Sequence, residues 1–559
     1  MTENNFKLST LPYKRVTIED FEANGKNLIE EFKNAKSGEE QFEVHKKYYS
    51  LIKEMYTAIV LSTLRHDGNV VDEFYEDENN YYNEISPKVT AVENEYKKEL
   101  FNSKFRSFLE EKIGKIAFKD IDYSLKSFDE SIISLQQEEN TLTAEYSKLL
   151  AKVKINFKGE ELNMSLLEKY TKSKDRNVRI EAVKAKSAEL EKIKDELDSI
   201  YDKLVKNRTE QAKKLGYENF VTLGYYRMGR TTYGIEEVRN FRNQVKKYLV
   251  PFATKLHENR RNRLGIEKLD SVDEGIYFKE GNPIPVGNAE EILALGQKMY
   301  SELSEETKEF FDFMIDHELF DVFGRTNKAG GGYMDMLLTY KAPIIFANFN
   351  GTSGDVDVIT HESGHAFQGF ITRNDEIMEH NNIKMETAET HSMSMEFFTD
   401  KWMELFYKDR ADDCRKMKLE DAIAFIPYGC MVDEFQEIIY SKPELTPEER
   451  RDVWKNLEKE YKPHLRYEND KFQGEGRRWQ TQRHIYMSPF YYIDYCLAQT
   501  CALQFKIKMD ENYNDAWNKY LAFSKESAKD SFINMLHNVG LKSPFENGYM
   551  EELVAKLDK

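Results

Sequence analysis

A mainly helical fold with one small β-sheet is predicted, and three observations lead to it. Gly and Pro number only 27 and 12 in 559 residues, too few for a loop-rich all-β protein. Long segments rich in Glu, Lys, Leu and Ala carry apolar residues three and four apart, the period of an amphipathic helix. One segment departs from that period: Ala342-Pro-Ile-Ile-Phe-Ala-Asn-Phe349, whose β-branched and aromatic residues read as a strand. A hydrophobic fraction of 40% supplies a sizeable core and rules out wholesale disorder.

The clearest helix runs from Val178 to Gly216. Leu190, Ile193, Leu197, Ile200 and Leu204 form a heptad-like seam, and Lys213-Lys214-Leu215-Gly216 is a good helix C-terminus. A seam this short is expected to pair within the chain, against Leu135 to Leu150, rather than to dimerise. Between the two helices, Val153 to Phe157 followed by Lys158-Gly159 reads as a small hairpin. The charged stretch Asp72 to Glu84, with Tyr75, Tyr81 and Tyr82, is expected to be a solvated connection with a few aromatic anchors. Asn282-Pro-Ile-Pro-Val-Gly287 is a turn-rich break before a region richer in Gly and His. The chain is divided into an N-terminal helical region, 1–200, and a second region, 201–559, that carries the motifs described below.

Pro343 marks the strand as an edge strand, because proline cannot donate to a ladder. An edge can accept an extended peptide as an added strand. Ala347, Asn348 and Phe349, with the turn residues Asn350 and Gly351, are therefore the candidate substrate-binding residues.

Cys414, Cys430, Cys496 and Cys501 form no CxxC pair and no disulfide framework for a chain of this length. The first fifteen residues hold no apolar run of signal-peptide type, and no stretch of about 18 apolar residues occurs. A cytoplasmic protein without a membrane partner is expected. The net charge of −18 argues against a nucleic-acid partner. The oligomeric state is not legible. No G-x-S-x-G elbow, Walker A loop or Rossmann glycine pattern is present.

The chemistry lies in Thr360-His361-Glu362-Ser363-Gly364-His365. On a helix, His361 and His365 lie on one face a turn apart, so both rings can reach one ion. Glu362 can then act on a water at that ion. With 11 His and 99 acidic residues in the chain, chance supplies at most about 0.04 such matches. A third ligand is expected from the next helical segment, where Glu386, Glu389 and His391 are all chemically able. Glu389 presented against the His pair completes a His2Glu set, with His380 and His391 as decoys. Glu386, Glu389 and Glu396 recur at helical spacing, and Glu396 is the candidate orienter of an imidazole. Farther on, His484 precedes Tyr491, Tyr492 and Tyr495, whose ring N–H and O–H groups could bind a developing oxyanion.

Taken together these motifs resemble the thimet-oligopeptidase-like zinc peptidases, most closely their bacterial oligoendopeptidase F branch. Supporting residues are Tyr226-Arg227-Met228-Gly229-Arg230, the Gly330–Tyr333 loop, Phe349-Asn350-Gly351-Thr352 and His484 with Pro489-Phe490-Tyr491-Tyr492. The resemblance implies a two-lobed helical body around a deep channel, with residues 1–200 forming part of its wall and a small sheet near the metal-binding helix. It implies one Zn2+ held by His361, His365 and Glu389, and short peptides as substrates. It also implies that His484 and a downstream tyrosine polarise the scissile carbonyl. This chain departs from the animal branch, having Tyr486-Met-Ser-Pro-Phe490 where that branch has a glycine-rich loop, so the choice among Tyr491, Tyr492 and Tyr495 stays open. The expected activity is a zinc endopeptidase with Glu362 as general base. The alternatives are a zinc carboxypeptidase, with Arg477, Arg478 or Arg483 fixing the terminal carboxylate, and a peptide-binding protein with a non-catalytic metal site.

Overall fold

The computed structural model describes residues 6–558. Along the chain run helices α1 (Ile18–Asn34), α2 (Gly38–Gly68), α3 (Glu73–Phe101) and α4 (Ile133–Ala151), strands β1 (Ile155–Phe157) and β2 (Glu160–Leu162), and helix α5 (Arg176–Lys214). Strands β3 (Phe320–Phe323), β4 (Tyr333–Leu337) and β5 (Ala342–Phe349) follow. Then come helices α6 (Ser353–Thr372), α7 (Met385–Phe398), α8 (Ala411–Ser441), α9 (Arg483–Met487) and α10 (Tyr492–Glu526), with shorter helices between. The fold is mainly helical, as expected. It divides into two compact units, one of Met1–Leu125, Ile284–Ala411 and Cys501–Leu541, the other of Lys126–Pro283, Asp412–Thr500 and Lys542–Lys559.

In the first unit, α1, α2 and α3 pack around Phe21, Phe32, Tyr48, Met55 and Tyr96. The expected connection at Asp72 to Glu84 is instead the start of α3. Asp72 is its cap, accepting from the N–H groups of Phe74 (3.1 Å) and Tyr75 (3.2 Å), and Glu73 and Glu76 sit favourably in the positive first turn. The aromatic anchors are real: Tyr81 and Tyr82 hydroxyls accept from Ile18 N–H (2.8 Å) and Val16 N–H (3.0 Å).

The three-stranded sheet of this unit has the order β3-β5-β4. Strand β5 is therefore central, not the expected edge. It pairs in parallel with β3, Phe320 opposite Ile345, and antiparallel with β4, from Tyr333 opposite Phe346 to Leu337 opposite Ala342. Its apolar run from Ala342 to Ala347, buried on both faces, is the pattern of a covered central strand. Pro343 is tolerated because β3 begins only opposite Ile345, whose N–H donates to Leu319 O (3.0 Å). Groups two residues apart point the same way, so the missing N–H of Pro343 faces the side that β3 does not reach. A tight turn joins β5 to α6, with Gly351 at φ +79°. Asp355 ties it down by accepting from the N–H groups of Asn350 (3.0 Å) and Gly351 (2.7 Å).

In the second unit, α4 and α5 pack against each other along the predicted seam, and β1 and β2 form the predicted antiparallel hairpin. Leu190, Leu197 and Leu204 are buried there, and Asn207 Nδ2 donates to Leu135 O (3.0 Å). Truncating Leu197 to Ala leaves a hole that rigid neighbours only partly refill. A loss of about 2–5 kcal/mol is expected in denaturant unfolding. A loss below about 1 kcal/mol would mean that the seam is not tightly packed.

Candidate metal centre

The site begins with two helices in backbone contact. A Cβ at Gly364 would lie 2.6 Å from Ser392 Cα and 3.1 Å from His391 O. Only glycine lets α6 and α7 approach this closely. Below the motif, Gly369 faces the Met336 sulfur, 2.8 Å from where a Cβ would stand, so β4 also packs on α6. The α6 register is held from behind by Tyr300, which donates its hydroxyl proton to Ile359 O (2.9 Å).

Close approach brings Glu389 to the two histidines. Its Oε2 lies 3.4 Å from His361 Nε2 and 3.6 Å from His365 Nε2. The ligand atoms of His361, His365 and Glu389 all fall within 4.8 Å of one another, the group among the described residues that could hold a metal ion. Ligands about 2.0–2.1 Å from one tetrahedral zinc stand roughly 3.3–3.4 Å apart, so the carboxylate distances fit a common ion. The orientation fits as well. Glu396 Oε1 lies 2.7 Å from His361 Nδ1, which turns Nε2 toward Glu389, and Ser392 donates to Glu389 Oε2 (3.1 Å).

The electrostatics favour a cation here. Burial disfavours charge on His361, but hydrogen bonds to Glu389 and Glu396 outweigh it and hold the pKa well above the usual histidine value. His365 is pushed down to about 4, chiefly by burial, which leaves a neutral ring able to ligate. Glu362, on the same turn, has its pKa raised, first by burial and further by Glu389 and Glu396, with His361 opposing. A carboxylate so placed is a stronger base than an exposed one.

The other candidates lie elsewhere. His391, on α7, is buried with its Nδ1 3.2 Å from Ser524 Oγ of α10, and burial pushes its pKa down to about 3. His380 pairs with Asp375 (3.0 Å). Glu386 is buried and outside the cluster. The β5 end, where substrate binding is expected, makes contacts within the protein. Ala347 O accepts from Lys328 Nζ (2.5 Å), and Asn348 Nδ2 donates to Ala329 O (2.8 Å). With the Asp355 bonds at Asn350 and Gly351, this segment is engaged internally and offers no open edge. The strands at the sheet edges are β3 and β4.

In the second unit, His484 and the three tyrosines do come together. The His484 ring centroid lies 5.5 Å from Tyr491, 4.9 Å from Tyr492 and 5.8 Å from Tyr495. Between α9 and α10 the chain turns at Phe490, a non-glycine residue at φ +67°, a strained conformation that its surroundings must enforce. Gln436 Oε1 accepts from Phe490 N–H (3.0 Å). Arg230 donates to Phe490 O and pairs with Asp494 (2.8 Å). Gly224 leaves room for the Phe490 ring, which a Cβ would meet at 2.6 Å. Sequence reasoning listed Arg230 within a motif but had no signal for this task. It missed Gln482, whose Nε2 lies 2.9 Å from His484 Nδ1.

Comparison with known proteins now bears on these features. A family model described as peptidase family M3 matches residues 169–554, and one described as the peptidase M3 N-terminal domain matches 8–128. The chain belongs to peptidase family M3. Among solved structures, one described as an oligoendopeptidase F is 43% identical, covering 99% of this chain and 98% of its own, at a TM-score of 0.94. PZ peptidase A with an inhibitor is 44% identical over 99% of this chain and 98% of its own, also at a TM-score of 0.94. An oligoendopeptidase F from Bacillus anthracis strain Ames is 42% identical over 99% and 98%, at a TM-score of 0.89. No curated protein sequence matches. Like these relatives the chain is a metalloendopeptidase, and no helix among its described residues is long and apolar enough to cross a membrane.

In this M3 peptidase, Glu389→Ala is expected to abolish stoichiometric metal binding, while Glu386→Ala and His391→Ala retain it. Metal content after dialysis checks this, and a metal found on His391 would refute the ligand set. Gly364→Ala forces the backbones of α6 and α7 apart. The expected result is a folded protein whose metal affinity falls roughly tenfold or more, the scale of disturbed ligand support. Competition with a chelator dye measures it, and unchanged affinity would show that the close contact does not position Glu389.

Proposed function

We infer that the protein is a zinc endopeptidase that cleaves internal bonds of short peptides, with Glu362 as the general base. The observation that carries this is an intact carboxylate of raised pKa on the same helical turn as a His2Glu donor set. A binder with a structural metal has no use for such a base. His361, His365 and Glu389 would hold the zinc, which would supply Lewis-acid polarisation and make water acidic near neutral pH. Glu362 Oε accepts the proton of the attacking water and returns it to the leaving amine. Glu396 keeps His361 turned so that Nε2 is the ligating atom. From the family resemblance, His484 and one of Tyr491, Tyr492 and Tyr495 are assigned as donors to the developing oxyanion.

The substrate backbone is assigned to β4 rather than β5. It is an edge strand that packs on α6 through Met336, and it follows a glycine segment that is open at Gly330 and Gly331. Main-chain pairing along an edge does not read side chains, which supports broad tolerance of peptide sequence.

Two of the three candidate cationic anchors of the carboxypeptidase alternative are engaged within the protein, and Arg483 is exposed. Arg477 is paired with Asp198 (2.8 Å) and Arg478 with Glu274 (2.6 Å). A peptide with an amidated C-terminus is therefore expected to be cut at internal bonds as fast as its free-acid form. Mass analysis of the products checks this, and failure on the amide would restore the carboxypeptidase reading.

The test of the central claim is Glu362→Gln. Glutamine keeps the size and hydrogen bonding of the side chain and cannot take the proton. Metal content is expected to stay at wild-type level while kcat falls by about 10²–10⁴. Near-normal turnover in the metal-loaded variant would remove Glu362 from this role.

A further inference from the structure

Gln482 has no part in the chemistry described so far, yet it stands between two functional groups. Tyr428 donates its hydroxyl proton to Gln482 Oε1 (2.8 Å), and Gln482 Nε2 lies 2.9 Å from His484 Nδ1. A glutamine amide is an acceptor at one end and a donor at the other, so its orientation decides what the imidazole meets. That orientation is set from the far end of the chain of contacts.

The Arg478 guanidinium sits against Tyr428, 4.9 Å from its ring centroid. A guanidinium can only donate. The phenol has no acceptor on that side, and its proton is directed to the Gln482 carbonyl. Arg478 is itself held by Glu274 (2.6 Å), which also pairs with Lys462. With Oε1 committed to Tyr428, the amide N–H of Gln482 faces the ring, and Nδ1 of His484 must present a lone pair.

We propose that Gln482 is a positioning residue that holds neutral His484 in the tautomer with its proton on Nε2. His484 then presents a proton donor on the side away from Gln482. The opposite tautomer would turn a lone pair toward a developing negative charge and repel it. This rests on the reading of His484 as an oxyanion donor in peptide hydrolysis. The relay from Glu274 through Arg478, Tyr428 and Gln482 fixes one proton without touching substrate, as the partners of metal-bound histidines fix theirs.

The experiment uses the full-length enzyme labelled with 15N-histidine, with the His484 signals identified by their loss in His484→Gln. Long-range proton–nitrogen spectra of the neutral ring report the tautomer directly. The expected wild-type result is a proton on Nε2 and none on Nδ1. A proton on Nδ1, or a mixture of the two forms, overturns the assignment. In Gln482→Glu a carboxylate of the same shape can only accept, so Nδ1 gains a proton. There kcat is expected to fall by about 10²-fold, the scale of losing one oxyanion donor, with KM within about twofold. Unchanged kcat with an inverted ring would overturn the positioning role. Gln482→Met keeps the volume without either polar end and is expected to give mixed tautomers and a smaller loss, whereas a residue that merely fills space would leave kcat unchanged. If a variant fails to fold, the wild-type spectrum alone decides the tautomer. If the wild-type enzyme shows the Nε2 proton but hydrolyses no peptide, the proposed function fails and the tautomer assignment stands.

Discussion

The metal centre depends on one steric fact: α6 and α7 touch backbone to backbone at Gly364 and Ser392. A glutamate side chain is short. For Glu389 to reach Nε2 of two histidines on the neighbouring helix, the helix axes must come closer than ordinary side chains allow. Gly364 removes the obstacle at the middle of the His-Glu-x-x-His turn. Ser392, opposite it, uses its hydroxyl to orient the carboxylate it has brought near. The same helix is anchored at its start by Asp355, which gathers the N–H groups leaving β5. The sheet therefore sets where α6 begins, and the glycine sets how near α7 can come.

Within that contact, three carboxylates of one chemical type are given different tasks by their surroundings. Glu389 faces both imidazoles, Glu396 faces the outer nitrogen of one, and Glu362 faces neither closely. The first two raise the proton affinity of His361 against its burial. The third carries the electrostatic consequence: burial and the nearby negative charges raise its affinity for a proton. A ligand carboxylate and a basic carboxylate thus arise from placement rather than from residue type.

The second unit uses polar contacts in the same directional way. Phe490 is held in a left-handed conformation by Arg230 and Gln436, and that bend delivers Tyr491, Tyr492 and Tyr495 beside His484. Arg230 is fully buried and pairs with Asp494 one turn into α10. Removing either partner would leave a buried charge uncompensated, so the pair locks the corner more than it stabilises the unit as a whole. Gln482 adds a finer level of control, setting the direction of a single proton where Arg230 sets a main-chain bend.

Several features needed nothing beyond local sequence. The period of Leu190, Ile193, Leu197, Ile200 and Leu204 predicted both a helix and its buried side, because burial follows the 3.6-residue turn. The spacing of His361, Glu362 and His365 predicted a metal site with a base, because the two histidines lie on one helical face. Other features were settled by distant contacts. A run such as Ala342 to Phe349 reads as a strand, but whether it lies at an edge or in the centre depends on β3 and β4, which contribute from elsewhere in the chain. Asp72 looked like one more charge in a polar stretch, and only its bonds to Phe74 and Tyr75 make it a helix cap. Glu386, Glu389 and His391 are equally able ligands in a linear reading. The choice falls to Glu389 because helix rotation and the Gly364 contact aim that one side chain at the histidines, while the other two, equally buried, lie outside the cluster. Sequence determines which groups can do the chemistry through their type and period. Tertiary structure decides which of them meet, because distance and direction between helices are set by close packing that no local pattern records.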